Sequence, residues 1–276
     1  MSDQQQELGA ATAQPEPAEI DVTRPSIARV YDAVIGGKDN FEVDRAIAAE
    51  ALRIVPEIGD VGRYNRAILR RGVTFLAREA GIRQFVDLGS GLPTVENTHQ
   101  VAQRHAPDAR VVYVDNDPIV LAHGRALLAE NDNTDVVTAD LREPADVLAR
   151  PEIAKHIDLS QPVGVLLIGV IHHLGDDEDP DGIVATYLDA VPSGSYLFLT
   201  HFCASSPDAL ALEDAMLRDL GTGRFRTLEE ITGYFQGLEL LDPGVVYLPE
   251  WRPDEPVNHP LTVGQRLMAG GIARKP

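Results

Sequence analysis

Apolar positions recur along this chain with two different periods, and the change between them divides it. From Ile27, the residues Val30, Tyr31, Val34 and Ile35 follow at i+3, i+4, i+7 and i+8. That is the stripe of an amphipathic helix, and Gly36-Gly37 stops it. Asp39 or Asn40 is placed to cap a second helix running to about Ile54, which Pro56 ends. A third helix is expected from about Asp60 to Ala80, with Val61, Tyr64, Ile68, Gly72, Phe75 and Leu76 on one face and Gly81 closing it. Short apolar runs then alternate with helical stretches, giving strands at 84–88, 110–114, 135–138, 163–170 and 195–200. Such alternation predicts a mainly parallel sheet with helices on both faces, an α/β fold. The run Val163 to Val170 is almost wholly apolar, as a strand covered on both faces requires. Thr227-Leu228-Glu229-Glu230 reads as a capping box opening a short helix. Leu238 to Leu241 and Val245 to Leu248 read as one late strand or a bent pair, and Leu267 to Ala273 as a terminal strand.

Composition narrows the function. In 276 residues, 44% hydrophobic, there is material for one large α/β domain with additions, or at most two small domains. No apolar run approaches a membrane span, and the first residues lack the basic and apolar regions of a signal peptide. With a single cysteine, Cys203, neither an internal disulfide nor a cysteine-based zinc site is available, and a cytoplasmic protein is expected. The formal net charge of −19 makes nucleic acid and anionic membrane poor partners. Arg63, Arg66, Arg70, Arg71 and Arg78 cluster on the third helix as a local exception. They read either as a solvated, salt-bridged face or, for Arg63 and Arg66, as part of a pocket for an anion.

The densest chemistry lies in Gln84-Phe85-Val86-Asp87-Leu88-Gly89-Ser90-Gly91. A strand that breaks into glycines and leads into a helix lets a ligand approach bare backbone. A second strand ends in an acid, Asp115, at a spacing suited to a carboxylate gripping ribose hydroxyls. A dinucleotide fingerprint would need a small residue where Thr94 stands, so NAD is disfavoured. With Asp87 in front, the D-x-G-x-G run instead resembles the first motif of class I S-adenosylmethionine (SAM) methyltransferases.

The resemblance extends further, to a group of SAM-dependent methyltransferases abundant in actinobacteria, whose substrates are unassigned. It rests on Ala28-Arg29-Val30-Tyr31-Asp32, Gly36-Gly37-Lys38-Asp39-Asn40-Phe41, Asp87 to Thr94, Val112 to Pro118, Ala139-Asp140-Leu141-Arg142, Trp251-Arg252-Pro253 and the terminal Arg274-Lys275-Pro276. It implies a class I Rossmann-like methyltransferase fold with a mainly parallel seven-stranded sheet. The expected organisation is a disordered tail over 1–22, a helical N-terminal cap over 23–82 and a SAM-binding core over 83–276. It also implies that Asp87, Gly89 and Gly91 shape the loop under the methionine moiety. Asp115 would bind the ribose with Asn116 beside the adenine, and Asp140 and Leu141 would meet the adenine edge.

Methyl transfer to oxygen or nitrogen needs alignment and removal of a proton. His172 and His173 follow the fourth strand, where open α/β sheets bind ligands, and are candidate general bases, His172 first. The other reading is that they pack beside the methionine end or fix a loop. A zinc set from these histidines, His201 and the Asp176–Asp179 run fails on spacing, so no metal is expected. Gly36 to Asn40 reads either as a helix stop and cap or as a lid bringing Gly37 and Lys38 to the cofactor, with Tyr31 facing it. The expected activity is methyl transfer from SAM to an oxygen or nitrogen of a small molecule. A SAM-binding regulator and an NAD-dependent enzyme are the alternatives. No oligomeric state follows from the sequence.

Overall fold

The computed structural model describes residues 20–93, 96–128 and 131–276. Most of the expected tail, and the Thr94 position that argued against NAD, lie outside these residues. Three helices come first: α1 (Ile27–Val34), α2 (Glu42–Ile54) and α3 (Gly59–Arg78). Strands and helices then alternate as β1 (Gln84–Leu88), α4 (Thr98–His105), β2 (Arg110–Asp115), α5 (Pro118–Leu128) and β3 (Thr134–Thr138). After α6 (Pro144–Leu148) and α7 (Pro151–His156) come β4 (Gly164–Ile168), α8 (Pro180–Asp189), β5 (Tyr196–Phe202), α9 (Pro207–Leu220) and α10 (Leu228–Gly233). The chain closes with β6 (Glu239–Leu240), β7 (Val246–Tyr247) and β8 (Met268–Arg274).

The sheet order is β3-β2-β1-β4-β5-β8-β6, with β7 also pairing with β8. β1 to β5 pair in parallel, and β8 runs antiparallel to β5, β6 and β7. Eight strands therefore occupy the seven positions expected. The late return is a bent pair: β6 and β7 lie along the same side of β8, separated by Asp242-Pro243-Gly244, where proline offers no N–H to a ladder. The long apolar run at 163–170 yields a strand only over Gly164–Ile168, because Gly169 turns left-handed at φ +68°.

Two apolar layers sandwich the sheet. On one face α3 and α4 pack with Phe85, Phe198 and Trp251, and on the other Val147, Ile153 and Tyr187 cover Val86, Leu167 and Leu197. Ile68, Val73 and Leu76 on α3 are fully buried, each contributing about 1.5–3 kcal/mol by leaving water. Contact is close enough that a Cβ on Gly72 would lie 2.3 Å from the Phe198 ring. Sequence order is thus misleading about α3: it belongs to the layer covering the sheet. Tyr31 of α1 and Ile35 just after it lie against Gly62 of α3, and α2 packs on α1 and α9. A buried ion pair, Arg29 Nε to Asp44 Oδ2 at 2.9 Å, locks α1 to α2. Asp44 also accepts the N–H groups of Ser26 and Phe41 at 3.1 and 2.9 Å, so its charge is fully hydrogen-bonded.

Candidate active site

β1 has β2 on one side and β4 on the other, so the chain direction of the crossovers reverses at β1 and opens a crevice at the strand ends. A cavity of about 740 Å³ lies there, roofed by residues 20–34 and by parts of α2 and α3. It is in the size range that takes a cofactor together with a small ligand.

The loop after β1 forms its floor. Gly89 and Gly91 both take left-handed conformations, at φ +68° and +65°, where a side chain is strained. Their surroundings differ. A Cβ on Gly89 would meet Val170 Cγ2 at 2.2 Å, whereas one on Gly91 would meet nothing within 4 Å. Gly89 is needed for packing against the segment after β4, and Gly91 presents backbone to open space. The N–H groups of Gly89 and Ser90 donate to Val114 O at 2.8 and 3.2 Å, holding the loop against β2.

The acids around this floor are individually placed. Asp87 is 5% exposed and accepts the Thr98 hydroxyl at 2.6 Å. Burial pushes its pKa up to about 6, against the opposing pull of Thr98 and the Arg66 charge. Asp115 accepts Gly91 N–H on Oδ2 at 2.8 Å and Asp117 N–H on Oδ1 at 2.9 Å. Burial raises its pKa while those backbone donors lower it. Asn116 donates to Asp140 Oδ2 at 3.4 Å, and Arg142 clasps Asp140 through Nε (2.9 Å to Oδ1) and Nη2 (2.5 Å to Oδ2). Those bonds hold the Asp140 carboxyl below its usual range. Leu141 is buried and its carbonyl accepts the Tyr187 hydroxyl at 2.9 Å. All of these residues except Tyr187 line the cavity or its rim.

His172 and His173 sit on a single 3-10 turn after β4, and both line the cavity. Their rings are 4.1 Å apart, and His201 at the end of β5 stands 5.7 Å behind His172. His201 Nδ1 lies 2.6 Å from Phe202 O, and Nε2 lies 3.0 Å from Arg226 Nη1. A carbonyl only accepts and a guanidinium only donates, so His201 is neutral with its proton on Nδ1. Arg226 itself is buried and pairs with Asp176 at 2.7 Å. Burial lowers all three histidines, His173 to about 4 and His201 to about 3. His172 falls well below the usual range, burial being reinforced by His173, His201 and Arg226. At neutral pH these rings are uncharged hydrogen-bonding groups.

The Gly36–Asn40 block is placed differently from the lid reading. Tyr31 lines the cavity, but Gly37 and Lys38 are exposed and do not. The block folds around the buried Asp32, whose Oδ2 accepts Asp39 N–H and Asn40 Nδ2–H, each at 2.8 Å. Gly37 N–H donates to Asp32 O at 2.8 Å, and a Cβ at Gly37 would sit 1.9 Å from the Asp32 carboxylate. The residues that do cover the site are those just before α1 and on α1 itself. Ser26 donates its hydroxyl to Asp117 Oδ2 at 2.5 Å while capping α1, and Ile20 and Ala28 pack on Leu92, Ile119 and Val120. Sequence reasoning passed over Ser26 because a helix cap is the ordinary use of a serine there. It also passed over Asn65 of α3, whose Oδ1 accepts the Thr200 hydroxyl at 2.9 Å, leaving its amide N–H groups toward the cavity and Tyr31.

The sheet order, the reversed β8 and a cavity of cofactor size at the ends of the central strands are those of a class I methyltransferase fold. Residues 13–276 match the model of the S-adenosyl methyltransferase family, and the chain belongs to that family. A crystal structure of a methyltransferase candidate from Thermobifida fusca is similar at 51% identity and TM-score 0.91, over 95% of this chain and 99% of that one. A DUF574-family protein from Streptomyces avermitilis is similar at 39% identity and TM-score 0.89, over 94% of this chain and all of that one. Mitomycin 7-O-methyltransferase, at 17% identity, TM-score 0.50 and 76% of this chain, shares the fold. No curated protein matches the sequence. The protein is a SAM-dependent methyltransferase, and its residues fit SAM: open backbone at Gly91, a half-buried Asp115 carboxylate on the cavity wall and room beyond them. No helix among the described residues is long and apolar enough to cross a membrane.

Proposed function

We propose that this methyltransferase acts on an oxygen or nitrogen of a small, largely apolar molecule held in the same cavity as the cofactor. One observation carries the reading. Beyond the Asp87–Asp115 end, the cavity continues between helices, walled by Ile47, Ala51, Ile58, Leu69, Met216 and Met268, side chains with no role toward a nucleoside. Such a roofed, apolar chamber suits a compact acceptor rather than a nucleic acid strand, and the net charge of −19 repels phosphate backbones as well. A cytoplasmic location belongs to the same proposal, supported by the lone buried thiol of Cys203.

In this reading Gly91 and Asp115 hold the cofactor's ribose end, and Asn116, Asp140 and Leu141 its adenine. Bound SAM supplies a methyl already activated by sulfonium charge. The protein's task is then to bring the acceptor atom into line and exclude water. Asn65 Nδ2 and the Tyr31 hydroxyl provide polar groups on the roof. The Tyr31 oxygen is buried without a hydrogen-bond partner among the described residues. His172 and His173 line the same cavity. As weak bases, they orient an O–H or N–H by accepting its hydrogen bond and take the proton only as the acceptor gains its methyl and becomes strongly acidic.

The test uses label. Purified protein is incubated with methyl-labelled SAM and, separately, with the low-mass, protein and nucleic acid fractions of one cell extract. Label entering the low-mass fraction supports the reading, and label entering only protein or nucleic acid contradicts it.

A further inference from the structure

Four arginines line the cavity, and three are already engaged. Arg29 pairs with Asp44 at 2.9 Å, Arg142 with Asp140 and Glu178, and Arg24 stands 3.9 Å from Asp21. The fourth, Arg66, has neither a carboxylate partner nor a hydrogen bond among the described residues. Its neighbours on α3 show the contrast: Arg63 pairs with Asp60, Arg70 with Asp254, and Arg71 binds the carbonyls of Trp251 and Leu248. Only Arg66 of these four lines the cavity.

Its position is defined by what surrounds it. The preceding residue, Asn65, is fixed to Thr200 of β5 at 2.9 Å and packs beside Gly169 at the end of β4. Arg66 therefore sits above the ends of the central strands, and its charge bears on Asp87, Tyr31 and Tyr113. Asp87 is buried, with its own hydrogen bond to Thr98, so Arg66 and Asp87 stand near one another without pairing. A half-buried guanidinium and a buried carboxyl left apart match a ligand end that carries both charges. The amino-acid end of SAM is such a group. The other end of the cavity, by Asp115, Asn116 and Asp140, is set for a nucleoside, so the zwitterion falls on the Arg66 side.

We infer that Arg66 anchors the α-carboxylate of the cofactor's methionine moiety, so that this site selects SAM over nucleoside sulfides and decarboxylated analogues. A planar guanidinium suits that role, since it meets a carboxylate through two parallel N–H donors. The inference rests on the cofactor reading of the cavity.

Calorimetry with two ligands separates the possibilities. S-adenosylhomocysteine carries the amino-acid end, and 5′-methylthioadenosine keeps the nucleoside and sulfur but lacks it. Arg66→Gln should weaken S-adenosylhomocysteine by about tenfold or more, the usual effect of losing a charge-assisted pair, and leave methylthioadenosine unchanged. Arg66→Lys should fall between, keeping the charge but not the fork. Because Arg66 has no partner to lose among the described residues, both variants should melt with the wild type. Unchanged S-adenosylhomocysteine affinity overturns the inference. Equal weakening of both ligands overturns it too. If wild-type protein binds neither ligand, the cofactor reading of the cavity fails, and the assignment of Arg66 with it.

Discussion

The Gly91 backbone N–H donates to Asp115 Oδ2 at 2.8 Å, so the acid that ends β2 also braces the glycine loop after β1. Each oxygen of Asp115 accepts one backbone N–H and keeps capacity for another donor, which is what two adjacent ribose hydroxyls need. Asp115→Ala should weaken S-adenosylhomocysteine by roughly 10- to 100-fold, about 1.5–3 kcal/mol, by removing charge-assisted bonds. It should also lower the ligand-free melting temperature, because the loop loses its brace. Calorimetry and a thermal scan on the same preparation check both. Normal affinity in the variant would remove Asp115 from the ribose.

The two glycines of the loop should respond unequally to alanine. Both have positive φ, a backbone penalty of about 1 kcal/mol for a non-glycine residue. At Gly89 the new methyl group would also stand 2.2 Å from Val170, so Gly89→Ala should cost several kcal/mol and shift or unfold the loop. Gly91→Ala should fold nearly normally and lose cofactor affinity, its methyl projecting into open space that a ligand needs. Denaturant titration of the pair, with ligand binding on the folded fraction, gives the comparison.

A third contrast concerns the N-terminal turn. Lys38→Ala should leave cofactor affinity and melting temperature unchanged, because Lys38 is exposed and away from the cavity. Asp32→Ala should lose several degrees of melting temperature, since Asp39 N–H and the Asn40 amide lose their acceptor. Ser26→Ala breaks the bond to Asp117 and should speed dissociation of S-adenosylhomocysteine, as expected of a strap over the nucleoside end. Stopped-flow displacement measures that rate. Unaltered dissociation in Ser26→Ala together with slowed binding in Lys38→Ala would return the lid to the glycine turn.

Much of this arrangement is legible in the chain, and the exceptions share a cause. β1, β2 and β3 fall within one residue of the apolar runs that predict them, because buried parallel strands admit little else. The Thr227 capping box is present, with Thr227 accepting Glu230 N–H at 3.2 Å. Ser26 and residues 20–25 carry no periodicity, and their role comes from Asp117, 91 positions downstream of Ser26. The sequence offers Arg63 and Arg66 alike for an anion pocket, and only the pairing of Arg63 with Asp60 and the place of Arg66 on the cavity wall separate them. The Gly36–Asn40 block carries polar residues because it wraps a buried carboxylate, a need that local sequence does not display.

Acid should destabilise the protein with a definite sign. His172, His173 and His201 have folded pKa values below the usual 6.5, His173 at about 4 and His201 at about 3. Their stabilising effect is complete above about pH 6.5 and is lost as pH falls, because the unfolded chain binds protons first. Asp87, raised to about 6, acts the other way, contributing stability below its unfolded value that is lost as pH rises through 6. Asp115, also raised by burial, acts in the same sense as Asp87. The three histidines outweigh these two acids, so stability should fall between pH 6 and 4 by about 1.4 kcal/mol per pH unit for each excess proton bound by the unfolded state. Urea titrations across that range check the sign. The replacement His201→Gln, which keeps a neutral hydrogen-bonding side chain, should flatten the slope.

A crystal structure of the protein soaked with S-adenosylhomocysteine tests the assignment of the cavity most directly. The account predicts both ribose hydroxyls on the Asp115 carboxylate, the adenine edge at Asp140 and Leu141, and the α-carboxylate on Arg66 beneath the roof formed by residues 20–31. A ligand seated elsewhere, or a nucleoside in the cavity with no bond to Asp115, would contradict it.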